Sequence, residues 1–235
     1  CAVLDDGSVS CWGSNFAGGI AYGTLGDNTT TDRHTPTQTA SLGENRTAVS
    51  VSAGPSHTCA VLDDGSVSCW GWNYAGQLGD NTTTDRLVPT QTASLGENRT
   101  AVSVSVGSAH TCALLDDGSV SCWGNNGYGR LGDNTTTGRL TPTQTASLGE
   151  NRTAVSVYAG SAHNCAVLDD GSVSCWGWNY GGQLGDNTTT NRPTPTQTAS
   201  LGDNRTAVSV SAGPGHTCAV LDDGSVSCWG GNGYG

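Results

Sequence analysis

One stretch, Cys-Ala-Val/Leu-Leu-Asp-Asp-Gly-Ser-Val-Ser-Cys-Trp-Gly, is written five times, first from Cys1 to Gly13 and last from Cys218 to Gly230. It admits few folds. Asp5-Asp6-Gly7 suits a three-residue hairpin loop in which a type I turn is followed by a glycine at positive φ, a conformation glycine adopts cheaply. That register opposes Leu4 to Ser8, Val3 to Val9, Ala2 to Ser10 and Cys1 to Cys11. Alternation along an antiparallel pair then puts the cysteines at a non-hydrogen-bonded site, with α-carbons about 4.5 Å apart. A disulfide can just span that gap. The stretch is therefore predicted to be a disulfide-stapled β-hairpin.

Ten cysteines fall into five such pairs: Cys1 with Cys11, Cys59 with Cys69, Cys112 with Cys122, Cys165 with Cys175 and Cys218 with Cys228. None is left over. This arithmetic points to an oxidising compartment and an extracellular or cell-surface chain. A zinc site would need close pairs converging as four ligands, which no copy offers, so no metal and no cofactor is expected.

Equivalent cysteines recur every 53 residues, except for a first interval of 58. The sequence repeats are thus 1–58, 59–111, 112–164 and 165–217, with a partial copy at 218–235, together one repeat domain read as part of a longer chain. The five extra residues lie between Gly13 and Leu25, where an insertion marks a surface loop. Each copy continues from its hairpin through a loop ending in Leu-Gly and a polar tract such as Asp80 to Arg86. A short segment with a proline follows (Leu87 to Thr92), suited to a sheet edge. After a turn, Ala101 to Val106 alternates with period two, which predicts a strand with Val102, Val104 and Val106 on one face. Four short strands per copy and no helical periodicity describe an all-β chain of propeller blades. One Trp per copy (Trp12, Trp70, Trp123, Trp176, Trp229) would supply much of each thin core.

The string from Gly54 to Gly79, Gly-x-x-His-Thr-Cys-Ala-Val-Leu-x-Asp-Gly-x-Val-x-Cys-Trp-Gly-x-Asn-x-x-Gly-Gln-Leu-Gly, resembles the repeat of the regulator of chromosome condensation family. It recurs in every complete copy. The resemblance implies a seven-bladed β-propeller. Seven blades at this pitch need about 370 residues, so the 235 present would supply a little over four.

Function is less legible. Twenty acidic residues face nine basic ones, all Arg, for a net charge of −11, which argues against nucleic acid as a partner. No apolar run approaches the 18 residues of a membrane span. His57, His110, His163 and His216 recur at the repeat pitch beside Ser and Asp, so a triad could be imagined. Catalytic centres are singular, however, and the resemblance implies a structural role for that slot. His34 stands alone in a polar stretch. The Asp-Asp-Gly pairs are explained by turn chemistry rather than by calcium or glycosidase carboxylates.

Two families of sequons remain: Asn28, Asn81, Asn134 and Asn187 open Asn-Thr-Thr, and Asn45, Asn98, Asn151 and Asn204 open Asn-Arg-Thr. These are candidate N-glycosylation sites. Copies two and three differ at ten of 53 positions, four of them between Trp72 and Gln77. That variable loop carries Phe16 and Tyr22 in the first copy, Trp72 and Tyr74 in the second, Tyr128 and Arg130 in the third, and Trp178 and Tyr180 in the fourth. Such side chains either anchor a partner or pack on the next blade.

The first functional expectation is a non-enzymatic secreted or surface scaffold binding a protein or glycan. The alternative is a self-assembling extracellular element, a filament, adhesin or coat, because near-identical units present equivalent joining surfaces. A nuclear exchange factor, the role in the family's name, fits neither the cysteines nor the acidity.

Overall fold

The computed structural model describes residues 1–17 and 20–233; Gly18 and Gly19 of the insertion and the last two residues of the fifth repeat lie outside that range. Among the described residues every regular element is a strand. The second blade runs in chain order from its innermost to its outermost strand: Ala48–Ala53, His57–Leu62, Val67–Gly71, Arg86–Gln91. The third (Ala101–Val106, His110–Leu115, Val120–Gly124, Arg139–Gln144) and fourth (Ala154–Ala159, His163–Leu168, Val173–Gly177, Arg192–Gln197) repeat it. Three strands each form the first blade (Ala2–Val3, Val9–Gly13, Arg33–Gln38) and the fifth (Ala207–Ala212, His216–Leu221, Val226–Gly230). These are consecutive blades of a β-propeller, offset from the sequence repeats: the innermost strand closes one repeat but joins the hairpin of the next. Pro36, Pro89, Pro142 and Pro195 all sit on outermost strands, where a missing N–H costs no ladder bond. The five-residue insertion adds a two-stranded ribbon, Phe16–Ala17 with Ile20–Ala21.

The hairpin has the expected register. Ala2 pairs with Ser10 and Val3 with Val9, and the amide of Leu4 donates to Ser8 O at 2.8 Å. Gly7 has φ +76°. In the later blades Cys59 faces Cys69, Cys112 faces Cys122, Cys165 faces Cys175 and Cys218 faces Cys228. All four of these pairs are bonded with α-carbons 4.1 Å apart, and Cys1 is bonded to Cys11 at 4.0 Å. The strands therefore approach slightly closer at the staple than the unbridged spacing of about 4.5 Å. The second Asp of each turn is occupied structurally: Asp64 Oδ1 accepts from Ser66 N and Oγ, and its other oxygen pairs with Arg46.

Blades are joined by one repeated polar lock. The carbonyl of Gln77, at the end of a loop in blade two, accepts from the Trp123 indole at 2.9 Å and the Thr111 hydroxyl at 2.8 Å, both in blade three. Thr24 O does the same for Trp70 and Thr58, and Gln183 O for Trp229 and Thr217. With its donor satisfied, each central Trp (Trp70, Trp123, Trp176) buries completely, combining a large apolar area with no orphan polar atom. Gly79, at φ +72°, lies flat beneath Trp123; a β-carbon there would meet the indole nitrogen at 2.7 Å. The Leu-Gly that ends each loop is thus required by the neighbouring blade. Trp123→Ala is expected to cost about 3–5 kcal/mol, read as a lower urea midpoint, because Trp123 is fully buried.

One expectation fails. Val102 does not share a face with Val104 and Val106. The register of the innermost strand slips between Ala101 and Ser103, and Val102 is the extra residue of that bulge. It is exposed, as are Val49, Val155 and Val208 in the other blades, while Val104 and Val106 are buried. The strand entrance is held from two sides: Ala101 N donates to Gly65 O in the preceding blade's hairpin, and within the blade Thr100 O accepts from Asp116 N. Both ends of the strand entrance are fixed, and a residue is left over.

Candidate functional site

Topology sorts the loops onto two faces. One carries the hairpin turns and the links between blades. The other carries the variable loop between the third and outermost strands, and its shape is set by one buried asparagine per copy. Asn73 Oδ1 accepts from Leu78 N, and its amide donates to Asp80 Oδ1 and to the carbonyls of Thr82 and Thr84. Asp80 in turn accepts from Thr82 Oγ1 at 2.7 Å and pairs with Arg86 at 2.7 Å. Burial opposes the charge on Asp80, but the hydrogen bonds from Thr82, Arg86 and Asn73 outweigh it and hold the carboxyl below its ordinary range. Asn15, Asn126 and Asn179 repeat this core, with Asp27, Asp133 and Asp186 paired to Arg33, Arg139 and Arg192. The tract that reads as unstructured polar sequence is therefore a hydrogen-bonded frame. Its signal was present in the sequence, since these residues are identical in four copies, yet spacing alone did not reveal the partners.

The frame presents aromatic rings in two clusters, each bridging two blades. Tyr22 of the first loop lies 5.6 Å from Trp72 of the second, and Trp72 stacks on Tyr74 with planes 8° apart. Tyr128 of the third loop meets Trp178 and Tyr180 of the fourth at 6.3 and 6.5 Å. Between blades two and three there is no such bridge, because Asn125 stands where Trp72 and Trp178 stand. Packing on the next blade and exposure to solvent are thus divided between different rings. Trp72 and Trp178 are partly covered by their neighbours, while Tyr74 and Tyr180 keep 77% and 67% of their surface in solvent. Phe16 is also exposed, on the ribbon. Arg130 is largely buried rather than exposed: only 7% of it is accessible, and its guanidinium lies 5.4 Å from the Tyr128 ring centre.

The recurring histidines are buried between blades. His57 Nε2 lies 2.8 Å from Thr111 Oγ1, His110 Nε2 2.7 Å from Asn164 Oδ1, and His163 Nε2 2.8 Å from Thr217 Oγ1. An amide oxygen only accepts, and the Thr111 hydroxyl already donates to Gln77 O; in both bonds the histidine Nε2–H is the donor. His34 is exposed on an outermost strand, and His216 is exposed in blade five. Among the described residues no three His, Cys, Asp or Glu converge as a metal would require. All eight sequon asparagines are exposed and take φ between +55° and +63°. Asparagine tolerates that left-handed conformation better than other side chains. The turn alone therefore explains asparagine there. The two families differ at the hydroxyl: Thr100, Thr153 and Thr206 of the Asn-Arg-Thr set bond Asp116, Asp169 and Asp222.

Two kinds of similarity accompany this geometry. Residues 1–235 match the RCC1-like domain family. The chain is 34% identical over 229 residues, 97% of its length, to the ultraviolet-B receptor UVR8 of Arabidopsis thaliana, covering 50% of that protein. It is 34% identical over 195 residues, 83% of its length, to the human probable E3 ubiquitin-protein ligase HERC4, covering 18% of it. The chain thus spans half or less of these relatives. The crystal structure of Prp20p from Saccharomyces cerevisiae superimposes with a TM-score of 0.81 at 23% identity, over 97% of this chain and 54% of that one. No described helix is long and apolar enough to cross a membrane. The blade topology, the interblade lock and the match along the whole chain agree: this protein belongs to the RCC1-like domain family of β-propellers.

Proposed function

We propose that the chain is a non-enzymatic, extracellular or surface-displayed scaffold that binds a protein partner through the variable-loop face. The carrying observation is the exposure of Tyr74 and Tyr180 on rings braced from behind by Trp72 and Trp178. Rigid, partly supported aromatics bury large area at little entropic cost, as interface anchors do. Prp20p is described by its binding to Gsp1p and histones, which supports protein binding as a use of this fold. Five disulfides support an oxidising setting.

The test uses a random heptamer library displayed on phage, selected on the immobilised protein, beside an array of neutral and acidic glycans. Selected peptides are expected to bind the double variant Tyr74→Ser, Tyr180→Ser at least tenfold more weakly, with the unfolding midpoint unchanged, since neither ring is buried. Undiminished binding would sink the anchor reading; glycan capture without peptide capture would replace protein by glycan. Self-assembly remains a second reading because the blades present three near-identical grooves on the opposite face, lined by Asp64 and Arg99, Asp117 and Arg152, and Asp170 and Arg205. A sedimentation profile that stays monomeric at high concentration would remove it. Sequon occupancy, proposed at the exposed Asn28, Asn81, Asn134 and Asn187 first, is read from intact mass before and after deglycosylation.

A further inference from the structure

Arginine supplies every fixed positive side-chain charge in this chain, nine in all. Eight are paired with aspartate: four within the loop frames and four beside the hairpin turns. The ninth, Arg130, has no carboxylate partner among the described residues. Its Nε is buried without an acceptor, and its Nη1 makes one long contact, 3.4 Å, to Ser161 O. Burying a guanidinium with so little compensation is unfavourable. The equivalent positions in the other copies hold Thr24, Gln77 and Gln183, so the fold does not demand a cation there.

A second difference sits in the same blades. The polar tracts of blades one and two end in Asp32 and Asp85, whose carboxylates accept from the amides of Asn15 and Asn73. In blades three and four the same position is Gly138 and Asn191. The two aromatic clusters therefore differ in charge. Tyr22, Trp72 and Tyr74 stand on loops that carry two extra carboxylates; Tyr128, Trp178 and Tyr180 stand on loops that have lost both and gained Arg130.

We infer that Arg130 anchors a carboxylate side chain, Asp or Glu, of a protein partner whose neighbouring residues pack on Tyr128, Trp178 and Tyr180. This rests on the protein-binding reading above and names the chemistry of the contact. A single guanidinium fork matches one carboxylate. A phosphate polymer would need a stripe of cations that an acidic chain lacks. A small free acid gains nothing from the rings and meets the repulsion of a −11 chain, whereas a carboxylate carried on a peptide brings apolar area with it.

The same phage library, selected in parallel on the wild type and on Arg130→Gln, tests this. Glutamine occupies the equivalent site in blades two and four, so the variant keeps the fold, checked by an unchanged unfolding midpoint. Wild-type selection is expected to enrich Asp or Glu. Synthetic winners should bind Arg130→Gln at least tenfold more weakly, and exchanging the peptide Glu for Gln should cause the same loss on the wild type and none on the variant. Peptides that bind both proteins equally but still need Tyr180 overturn the carboxylate anchor and leave the scaffold standing. Recovery of no peptide overturns both readings. Arg130-dependent capture of uronate-bearing glycans alone overturns the peptide occupant.

Discussion

Acidification from pH 7 to 4.5 is expected to unfold this propeller, with the loss beginning near pH 6.5, well above the range in which carboxylates protonate. The groups responsible are the buried interblade histidines. Burial lowers His57 and His110 to about 3 and His163 to about 4, against about 6.5 in the unfolded chain. Neighbouring positive charge adds to the effect: His110 faces Arg130, and each histidine faces the next. The sign follows directly. Below pH 6.5 the unfolded chain takes up protons that the folded chain refuses, so stability falls as pH falls. Three such groups lose about 4 kcal/mol per pH unit together, or about 8 kcal/mol by pH 4.5. That is comparable to the whole stability of an ordinary domain.

Structure explains why the histidines resist. Each Nε2–H is committed to the next blade, and each Nδ1 is buried without an acceptor; a proton there would be an unpaired donor in a charged ring. Urea titrations at half-unit steps from pH 7.5 to 5 check this. His110→Gln should reduce the slope by about a third. A flat profile down to pH 5 would show that the histidines protonate in place. The loop-frame carboxylates, held low by their hydrogen bonds despite burial, contribute stability that is lost only below about pH 4, with the same sign.

That the blade could be read in advance while the site could not follows from where each interaction is written. Hairpin register, staple and edge proline are encoded within a dozen residues, and local turn chemistry decides them. The bulge at Val102 is decided by Gly65 and Asp116, contacts that strand periodicity cannot contain. The histidine slot was recognisable as recurrent, but its partners Thr111, Asn164 and Thr217 lie 54 residues on, in the next blade. Arg130 shows the same thing most sharply. In sequence it is one arginine among nine on a variable loop. Its distinction appears only when the other eight have found their aspartates. The copies themselves offered a clue that spacing did not: Gln77, Arg130 and Gln183 occupy one position, and only one is charged.

Reduction of the five disulfides is the second large effect expected, and its distribution along the chain is what makes it informative. Each staple closes a loop between cysteines ten residues apart, for which the chain-entropy estimate is about 2.7 kcal/mol. Summed over five hairpins this comes to about 13.5 kcal/mol, enough to unfold the array at neutral pH and moderate temperature. In the central blades both cysteines of each pair, Cys59 and Cys69, Cys112 and Cys122, Cys165 and Cys175, are fully buried. They pack against the Trp of the following blade and the Leu of their own blade's loop, as Cys59 and Cys69 do with Trp123 and Leu78, so reductant should act only through opening of a blade.

Mass spectrometry of alkylated protein after timed exposure to dithiothreitol reads this out: the Cys59, Cys112 and Cys165 bonds are reduced late and together with loss of tryptophan burial. The double variant Cys112→Ser, Cys122→Ser alone should cost about 2–3 kcal/mol. Because near-identical blades can pair with the wrong neighbour's strands, that variant should also refold more slowly than the wild type. The staple fixes each hairpin locally before any interblade contact forms, which removes one class of wrong pairings that repeats of this similarity would otherwise permit. Refolding of the variant at the wild-type rate would confine the disulfides to a purely thermodynamic role.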